Sequence, residues 1–498
     1  MVQKIKNNKF YVLIIISISI LVVSSIASAF FDSDVFHILK EGREVLEKQN
    51  FFYDHSFVGG TISIIKQQWL WDVCAYSAWA MFGKVGLFGL TIISTSIFAI
   101  VAYYYSQVMR VDKKIAVLSI TAILIFVSPW LTIRPTIITL ILLLIQLIAI
   151  EKYLQTNKWQ YLLSFIPLSI LHINLHGSLW ISLIIFTIPF IVPIFSKTSK
   201  NEQIRIQGNK IKQCATIALF LIPAIFASML NPYGIKGITF LFTSMSGGIS
   251  RLGIQELMSP TLFRIDSIVS ILFIIFAICV CLKTKVDIRI SKVFLFLGCL
   301  LMFSIYIRNG SFMFLSMLVL LFELFRNEKD KEKVQKIHHT LNTAFKKEVF
   351  VIGGIMLILI ISLFNIGKFK NIISPVQDSV IYPTKATRYI EKYGSKKDKI
   401  FTGFVPGAFV SYQGFSRYMD ARPELGLKQI NTKEDYLNEY IVLKSGCRKT
   451  DYEKFKKKYN FKWWIVTPLD GHLFYYVVDD KGLKTVYKTK EYTLLEKK

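Results

Sequence analysis

Long apolar runs recur along the chain from its N-terminus to about residue 366. Many of them have about 18 residues or more, which is enough for an α-helix to cross the hydrocarbon core of a bilayer. They predict eleven membrane spans, near residues 10–31, 85–107, 114–131, 135–152, 160–176, 178–195, 212–230, 267–283, 291–307, 311–325 and 348–366. A soluble core has no use for so many apolar runs, so the pattern predicts an all-α polytopic membrane protein.

One apolar segment does not fit a simple alternation of spans and loops. Residues 69–82 (WLWDVCAYSAWAMF) are apolar but number only 14, fewer than the ~17 that a crossing needs. Tryptophan is enriched where the bilayer meets water, and this segment carries three tryptophans. We therefore predict an interfacial or re-entrant helix rather than a twelfth span.

The loop charges predict the orientation of the spans. The formal net charge is +27, and much of the excess lies in the loops 108–114, 196–213, 284–292 and 326–347. Basic loops stay on the cytoplasmic side, and all four fall there if the N-terminus is inside. The chain is thus predicted to be a multi-pass plasma-membrane protein with a cytoplasmic N-terminus and no role in nucleic-acid binding.

The same alternation of sides predicts the outer loops and a second domain. The largest outer loops are 32–84 and 231–266. A membrane domain is expected over 1–366, followed by an extracytoplasmic α/β domain over 367–498, where strand-like pieces (KIFTGF, RYMDA, KWWIVT, LKTVYK) alternate with helix-like ones (KATRYIEKY, KEDYLNEYIVL, DYEKFKKKY).

Two acids and a histidine follow the first span, in the stretch FFDSDVFHILKEG. After Asp34 the apolar residues recur with helical spacing, which predicts an amphipathic helix on the membrane surface. Asp32 or Asp34 could simply cap this helix, since aspartate is a favoured N-cap residue. However, one cap needs one residue, and this stretch also carries His37, so a catalytic role is the alternative.

Arginines stand at two predicted outer span ends. Arg134 lies in "TIRPTIITL", directly before Pro135, and Arg308 lies in "IYIRNGSF". Each could snorkel to the headgroups. Alternatively, each could bind a phosphate or carboxylate, for which a guanidinium is well shaped.

A further polar group lies at the outer end of another span, in "LHINLHGSLW". His172 and His176 are four residues apart and share one helix face, with Asn174 between them. Interhelical hydrogen bonding is one interpretation. A metal site is another, with Asp32 and Asp34 as further ligands. The six cysteines show no metal-binding spacing.

These polar residues come from distant parts of the chain but are predicted to lie at one membrane face. Asp34 and Asp32 are the candidate catalytic residues. The candidate substrate-binding residues are His37, Arg134, His172, Asn174, His176, Glu256, Arg308 and Arg422. Carboxylates and arginines at an outer leaflet suit the handling of a phosphate-bearing lipid and a hydroxyl acceptor.

At these residues the chain resembles the C-type (GT-C) membrane glycosyltransferases, and within them an uncharacterised bacterial branch. The resemblance rests on "DSD" after the first span, the amphipathic helix behind it, "RP" before the fourth span and the large loop after the seventh. It implies transfer of a sugar from a polyprenyl-phosphate donor to a cell-envelope glycan, lipid or protein acceptor, with a first-loop acid as base or metal ligand. A second acidic motif common in the family is absent from "TIRPT", so the need for a divalent metal stays open.

Three other functions stay open at this point. An O-antigen ligase or polysaccharide polymerase also has many spans and outer arginines, but it usually carries them in a large late loop. A transporter or flippase of a lipid-linked or anionic solute should show inverted repeats and charges near the midplane, and no repeat is visible. The third is a non-enzymatic membrane scaffold.

Overall fold

The computed structural model describes residues 2–26, 31–192, 204–244, 254–284, 288–326 and 372–498. Over the described residues before 327, the α-helices are numbered in chain order from α1 to α12. Their bounds are Val2–Ser25, Val35–Lys48, Trp69–Val108, Lys113–Val127, Thr136–Thr156, Phe165–His176, Ser182–Ile191, Ile204–Ala227, Ile235–Ser244, Ile265–Thr284, Ile290–Ile305 and Gly310–Leu324.

The predicted apolar runs form helices wherever the structure describes them. Seven helical segments are long and apolar enough to cross a membrane, and three shorter apolar helices lie at Lys9–Ser25, Ser182–Ile191 and Ile290–Ile305. Together they cover ten of the eleven predicted spans, and the eleventh, 348–366, lies outside the described residues. The polytopic helical architecture is therefore confirmed, and the number of crossings stays a prediction.

Helix α3 has 40 residues and contains a break at Gly83, where φ is 56° and ψ is −138°. A straight helix of this length would extend about 60 Å, twice the thickness of the hydrocarbon core. Glycine adopts a positive φ without the steric penalty that other residues pay. The break separates the segment 69–82 from the following apolar stretch, as expected for two different elements.

The chain falls into two compact units. The helical unit comprises Met1–Ser28, Phe88–Gly234 and Ile254–Lys370, and the mixed unit comprises Ala29–Leu87, Ile235–Gly253 and Asn371–Lys498. The predicted domain boundary at 366/367 lies outside the described residues. The first loop groups with the tail, whereas the sequence pattern assigned it to the membrane domain.

The helical unit has its core between neighbouring helices. Four buried leucines, one from each of α5, α6, α7 and α8, pack together: Leu142, Leu168, Leu183 and Leu221. The side chains of α5 are buried along most of its length. Helix α5 is therefore surrounded by other helices.

The tail forms the predicted α/β fold around a four-stranded sheet. A hairpin of β1 (Tyr53–Asp54) and β2 (Ile62–Ser63) belongs to the first loop. In the tail β3 (Ile400–Thr402) pairs in parallel with β4 (Trp463–Val466), which is antiparallel to β6 (Thr493–Lys497), and β6 is antiparallel to β5 (Leu483–Lys488). The helices of the tail are α13–α18, at Thr384–Tyr393, Gly407–Tyr412, Lys428–Asn431, Tyr436–Gly446, Lys449–Tyr459 and His472–Val478.

One predicted strand of the tail is wrong. The stretch RYMDA does not join the sheet, and its Arg417 forms only an isolated bridge with Phe57 of the first loop. Arg417 is buried at 1% exposure. Tyr418 and Met419 of this stretch are buried, and Arg417 and Asp420 pair with each other instead of facing water.

Candidate functional sites

Asp34 occupies the N-cap position of α2, but its side chain makes no capping hydrogen bond. The backbone N–H of Asp34 instead donates to the Asp32 Oδ1 atom at 3.0 Å. Asp32 therefore closes a local turn with its own carboxylate. Of the two acids, Asp34 is the one whose carboxylate neither caps the helix nor closes this turn.

An aromatic cluster holds the start of α2 in place. The Phe36 ring has its centroid 4.8–5.6 Å from the rings of four residues, namely Trp79, Tyr382, Phe409 and Tyr412. Phe36 is 2% exposed. Such edge-to-face contacts add about 0.5–1.5 kcal/mol each beyond the apolar area that they bury. The backbone two residues from Asp34 is therefore firmly packed.

The polar side of α2 is buried in protein, which differs from the expectation of a helix lying on the membrane surface. Lys40 donates to the Asp54 Oδ2 atom at 2.8 Å, and Arg417 donates to the same atom at 2.8 Å. Burial alone would raise the pKa of Asp54. The nearby charges of Arg417 and Lys40 outweigh burial and hold that pKa well below its usual range.

A second group of charges lies further along the same helix face. Lys66 binds Glu41 and Glu44, each at 3.0 Å. The His37 Nδ1 atom lies 3.8 Å from Glu41, and burial lowers the pKa of His37 to about 4 despite the opposing charge of Glu41. His37 is consequently neutral near pH 7.

Arg422 is buried and already bound within the mixed unit. Its Nε atom donates to Glu424 at 2.6 Å, and its Nη2 atom donates to the Ile65 carbonyl at 3.2 Å. The sequence pattern predicted substrate binding for Arg422 and His37. Their surroundings fit an architectural role better, because each faces charged groups of the protein.

In the helical unit, Arg134 lies in the turn directly before α5, and Pro135 stands at the N-cap position of that helix. Arg134 Nη1 donates to both carboxylate oxygens of Glu256 at 2.7 Å. The side chains of Arg134 and Glu256 are 30% and 45% exposed. The pair is therefore open to competition from another anion.

Several of the predicted residues lie near one another in the helical unit. Arg134 and Arg308 lie close enough to His176 for their charges to affect it, and His172 lies one helical turn before His176 on α6. His176 Nδ1 is 2.8 Å from Thr139 Oγ1, and Asn174 donates to the Leu230 carbonyl at 2.9 Å. His176 and Asn174 therefore hydrogen-bond to neighbouring segments, which agrees with the first of the two interpretations of this group.

His172 differs from its neighbours. It is fully buried, and within the described part of the chain neither ring nitrogen has a hydrogen-bond partner. Leaving a buried polar group without a partner costs about 1–3 kcal/mol. Such a group is a natural point of contact for a bound molecule.

Gly310 allows close packing beside Arg308. A Cβ atom on Gly310 would lie 2.5 Å from the Trp130 ring, which is too close for a side chain. Trp130 ends the turn after α4 and also packs on Phe314. The glycine therefore lets the turn that carries Arg308 approach the turn that leads to Arg134.

A buried ion cluster in the helical unit was missed by the sequence pattern. Glu151 binds Arg289 at 2.8 Å and Lys292 at 2.5 Å, and Arg289 also binds Glu323. Along α5, Glu151 lies about 18 Å from Thr139, the partner of His176, so the two polar groups are separate. Two apolar runs each contain an acid, Glu151 or Glu323. This pattern could have predicted the cluster, because acidic residues inside a membrane need partners.

The described residues do not fit a metal centre. Among them, no group of three or more histidine, cysteine, aspartate or glutamate side chains could hold a metal ion. Within the mixed unit, Asp32 and Asp34 would supply only two ligands.

The chain matches known proteins by structure but not by sequence. No protein-family model and no curated protein sequence matches the chain. Solved structures of the Archaeoglobus fulgidus oligosaccharyltransferase do match. Its form tethered to an acceptor peptide has a TM-score of 0.56 at 10% identity, covering 92% of this chain and 69% of that one.

Two further structures of that enzyme agree. The complex of AglB with an inhibitory peptide and dolichol-phosphate has a TM-score of 0.53, and the apo form has 0.55. Both are 11% identical, and the match covers 92% of this chain and 70% of theirs. The chain therefore shares the fold of these structures, formed here by apolar helices and a C-terminal domain with a small sheet.

Proposed function

We propose that the protein transfers a sugar from a polyprenyl-phosphate donor to an acceptor on the extracytoplasmic face of the plasma membrane. The observation that carries the proposal is Asp34, a first-loop carboxylate of a GT-C fold that starts α2 without capping it. The solved neighbour was captured with an acceptor peptide and with dolichol-phosphate. Those ligands belong to the same chemical classes as the proposed acceptor and donor lipid.

Asp34 is proposed to act as the general base. The acceptor atom attacks C1 of the sugar, and its proton passes to the Asp34 carboxylate. The bond between C1 and the phosphate oxygen breaks, and the electron pair leaves with polyprenyl phosphate. Because attack and departure occur on opposite faces of C1, the configuration inverts.

The growing charge on the leaving phosphate needs cations. Arg134 and Arg308 are proposed to supply them, since fixed positive charges that meet a developing anion are often a large part of catalysis. His172 is proposed to bind a donor hydroxyl or phosphate oxygen through its ring. His176 and Asn174 would hold the surrounding helices.

Glu256 is proposed to occupy Arg134 until the donor phosphate displaces it, after which its carboxylate is available to the acceptor. Glu256→Gln should then raise donor affinity by about two- to fivefold, because a partly exposed ion pair is worth less than ~1 kcal/mol. Binding of a radiolabelled polyprenyl-phosphate sugar would measure this.

The matched control is Asp266→Asn, which weakens a different ion pair, with Arg264 at 3.0 Å. It should leave donor affinity unchanged. A lower donor affinity in Glu256→Gln would show instead that Glu256 itself holds the donor.

The proposed topology places the N-terminus inside and residues 372–498 outside. A cysteine introduced at Lys84, a residue next to the break in α3, should react with a membrane-impermeant maleimide in intact cells. The control is a cysteine at Lys113, in a predicted cytoplasmic loop, which should react only after permeabilisation. The opposite result would reverse the proposed orientation.

The direct test of function uses purified protein and a panel of polyprenyl-phosphate sugars. Loss of the lipid donor, with formation of free polyprenyl phosphate and a glycosylated acceptor, is the expected result. Movement of an intact donor across a liposome membrane, without its consumption, would favour a flippase.

A further inference from the structure

Tyr382 connects the tail to the acidic stretch of the first loop, and both belong to the mixed unit. Its hydroxyl donates to the Asp32 carbonyl oxygen at 2.9 Å. The two residues are 350 positions apart in the chain. Tyr382 is 9% exposed, and its backbone is fixed by hydrogen bonds with Ser379.

The contact forms part of a short chain of hydrogen bonds that ends at Asp34. Tyr382 holds the carbonyl of Asp32, and the Asp32 carboxylate accepts the N–H of Asp34. The Tyr382 ring also packs edge-on against Phe36, with centroids 5.1 Å apart. Tyr382 therefore contacts residues on both sides of Asp34, namely Asp32 through a hydrogen bond and Phe36 through its ring.

The electrostatics keep this hydroxyl as a donor. Burial raises the pKa of Tyr382, and the nearby charges of Asp32 and Asp34 raise it further. The phenol consequently stays protonated throughout the physiological range.

We propose that Tyr382 is a positioning residue for the carboxylate of Asp34, so that the tail takes part in the chemistry. This inference rests on the proposed function, in which Asp34 is the base. The rigidity that Tyr382 gives to the Asp34 backbone is the property that can be tested without that assumption.

The test is Tyr382→Phe, which removes the hydroxyl and keeps the ring. We expect kcat to fall about three- to tenfold, the effect of one hydrogen bond, with the KM for the donor unchanged. Hydrogen exchange at the Asp34 amide should become faster in the same variant, while exchange in the β3–β6 sheet should not change.

Tyr412→Phe is the matched control. Tyr412 packs on Phe36 at 4.9 Å, as Tyr382 does at 5.1 Å, but its ring lies beside Arg43 rather than beside Asp32. It should keep wild-type kcat and wild-type exchange at Asp34. The proposal is overturned if both variants lose kcat equally, or if exchange at Asp34 is unchanged in Tyr382→Phe.

Failure of the transferase function and failure of the positioning role of Tyr382 would give different results. If the wild-type protein consumes no lipid donor while exchange at Asp34 still rises in Tyr382→Phe, the proposed transferase function fails and the positioning contact stands. If the wild-type protein is active but Tyr382→Phe has both normal kcat and normal exchange, the transferase function stands and the positioning role fails.

Discussion

Replacing Asp34 with asparagine should lower the rate of sugar transfer by about 10²–10⁴-fold. Asparagine keeps the size and the hydrogen-bonding oxygen of aspartate but cannot accept the proton. The fold should be unaffected, because Asp34 makes no capping hydrogen bond and asparagine caps about as well as aspartate. Single-turnover transfer from a labelled lipid donor measures the effect.

Asp32→Asn is the companion variant. The new asparagine would still accept the Asp34 N–H through its side-chain oxygen, so the local turn should survive and only the charge is lost. A moderate loss of activity is expected. If Asp32→Asn abolishes transfer while Asp34→Asn keeps it, the base is Asp32. If both variants stay active, the enzymatic proposal loses its main support.

The second large effect concerns stability. Arg417→Met should destabilise the mixed unit by about 3–5 kcal/mol, because it removes one cation of a buried cluster and leaves the Asp420 carboxylate without its ion-pair partner. Arg417 binds Asp54 at 2.8 Å and also pairs with Asp420, and its side chain is 1% exposed. Thermal unfolding in detergent, together with limited proteolysis of the tail, would measure the loss.

The control for this variant is Arg388→Met, which changes an exposed arginine of α13. Surface substitutions of this kind usually lie within about 0.5 kcal/mol of the wild type. Equal stability of the two variants would contradict the importance of the buried cluster.

The buried ion cluster around Arg417 also predicts that the stability of the protein depends on pH. The pKa of Asp54 is held well below its unfolded value of ~3.9, so its contribution to stability is complete above that value. The contribution is lost as the pH falls through the native pKa. The wild-type protein should therefore lose stability more steeply than Asp54→Asn when both are acidified below about pH 4.

Local patterns in the sequence are enough to predict most of the helices and strands. The ten described apolar runs became helices, and the helical spacing after Asp34 became α2. The strands at 400–402, 463–466 and 483–488 also lie within the strand-like pieces of the sequence. Backbone hydrogen bonding sets these periodicities, and each can be recognised within about ten to twenty neighbouring residues.

Which polar groups meet depends instead on how distant segments pack together. Arg417 and Asp54 are 363 residues apart, and their pairing turns a predicted strand into an irregular segment against the first loop. The grouping of Arg134, His176, Glu256 and Arg308 follows from the packing of helices, whereas their residue types alone predicted only a shared membrane face. A charge in a sequence does not identify its partner, because the free energy of burying it depends on atoms that distant segments bring within about 4 Å.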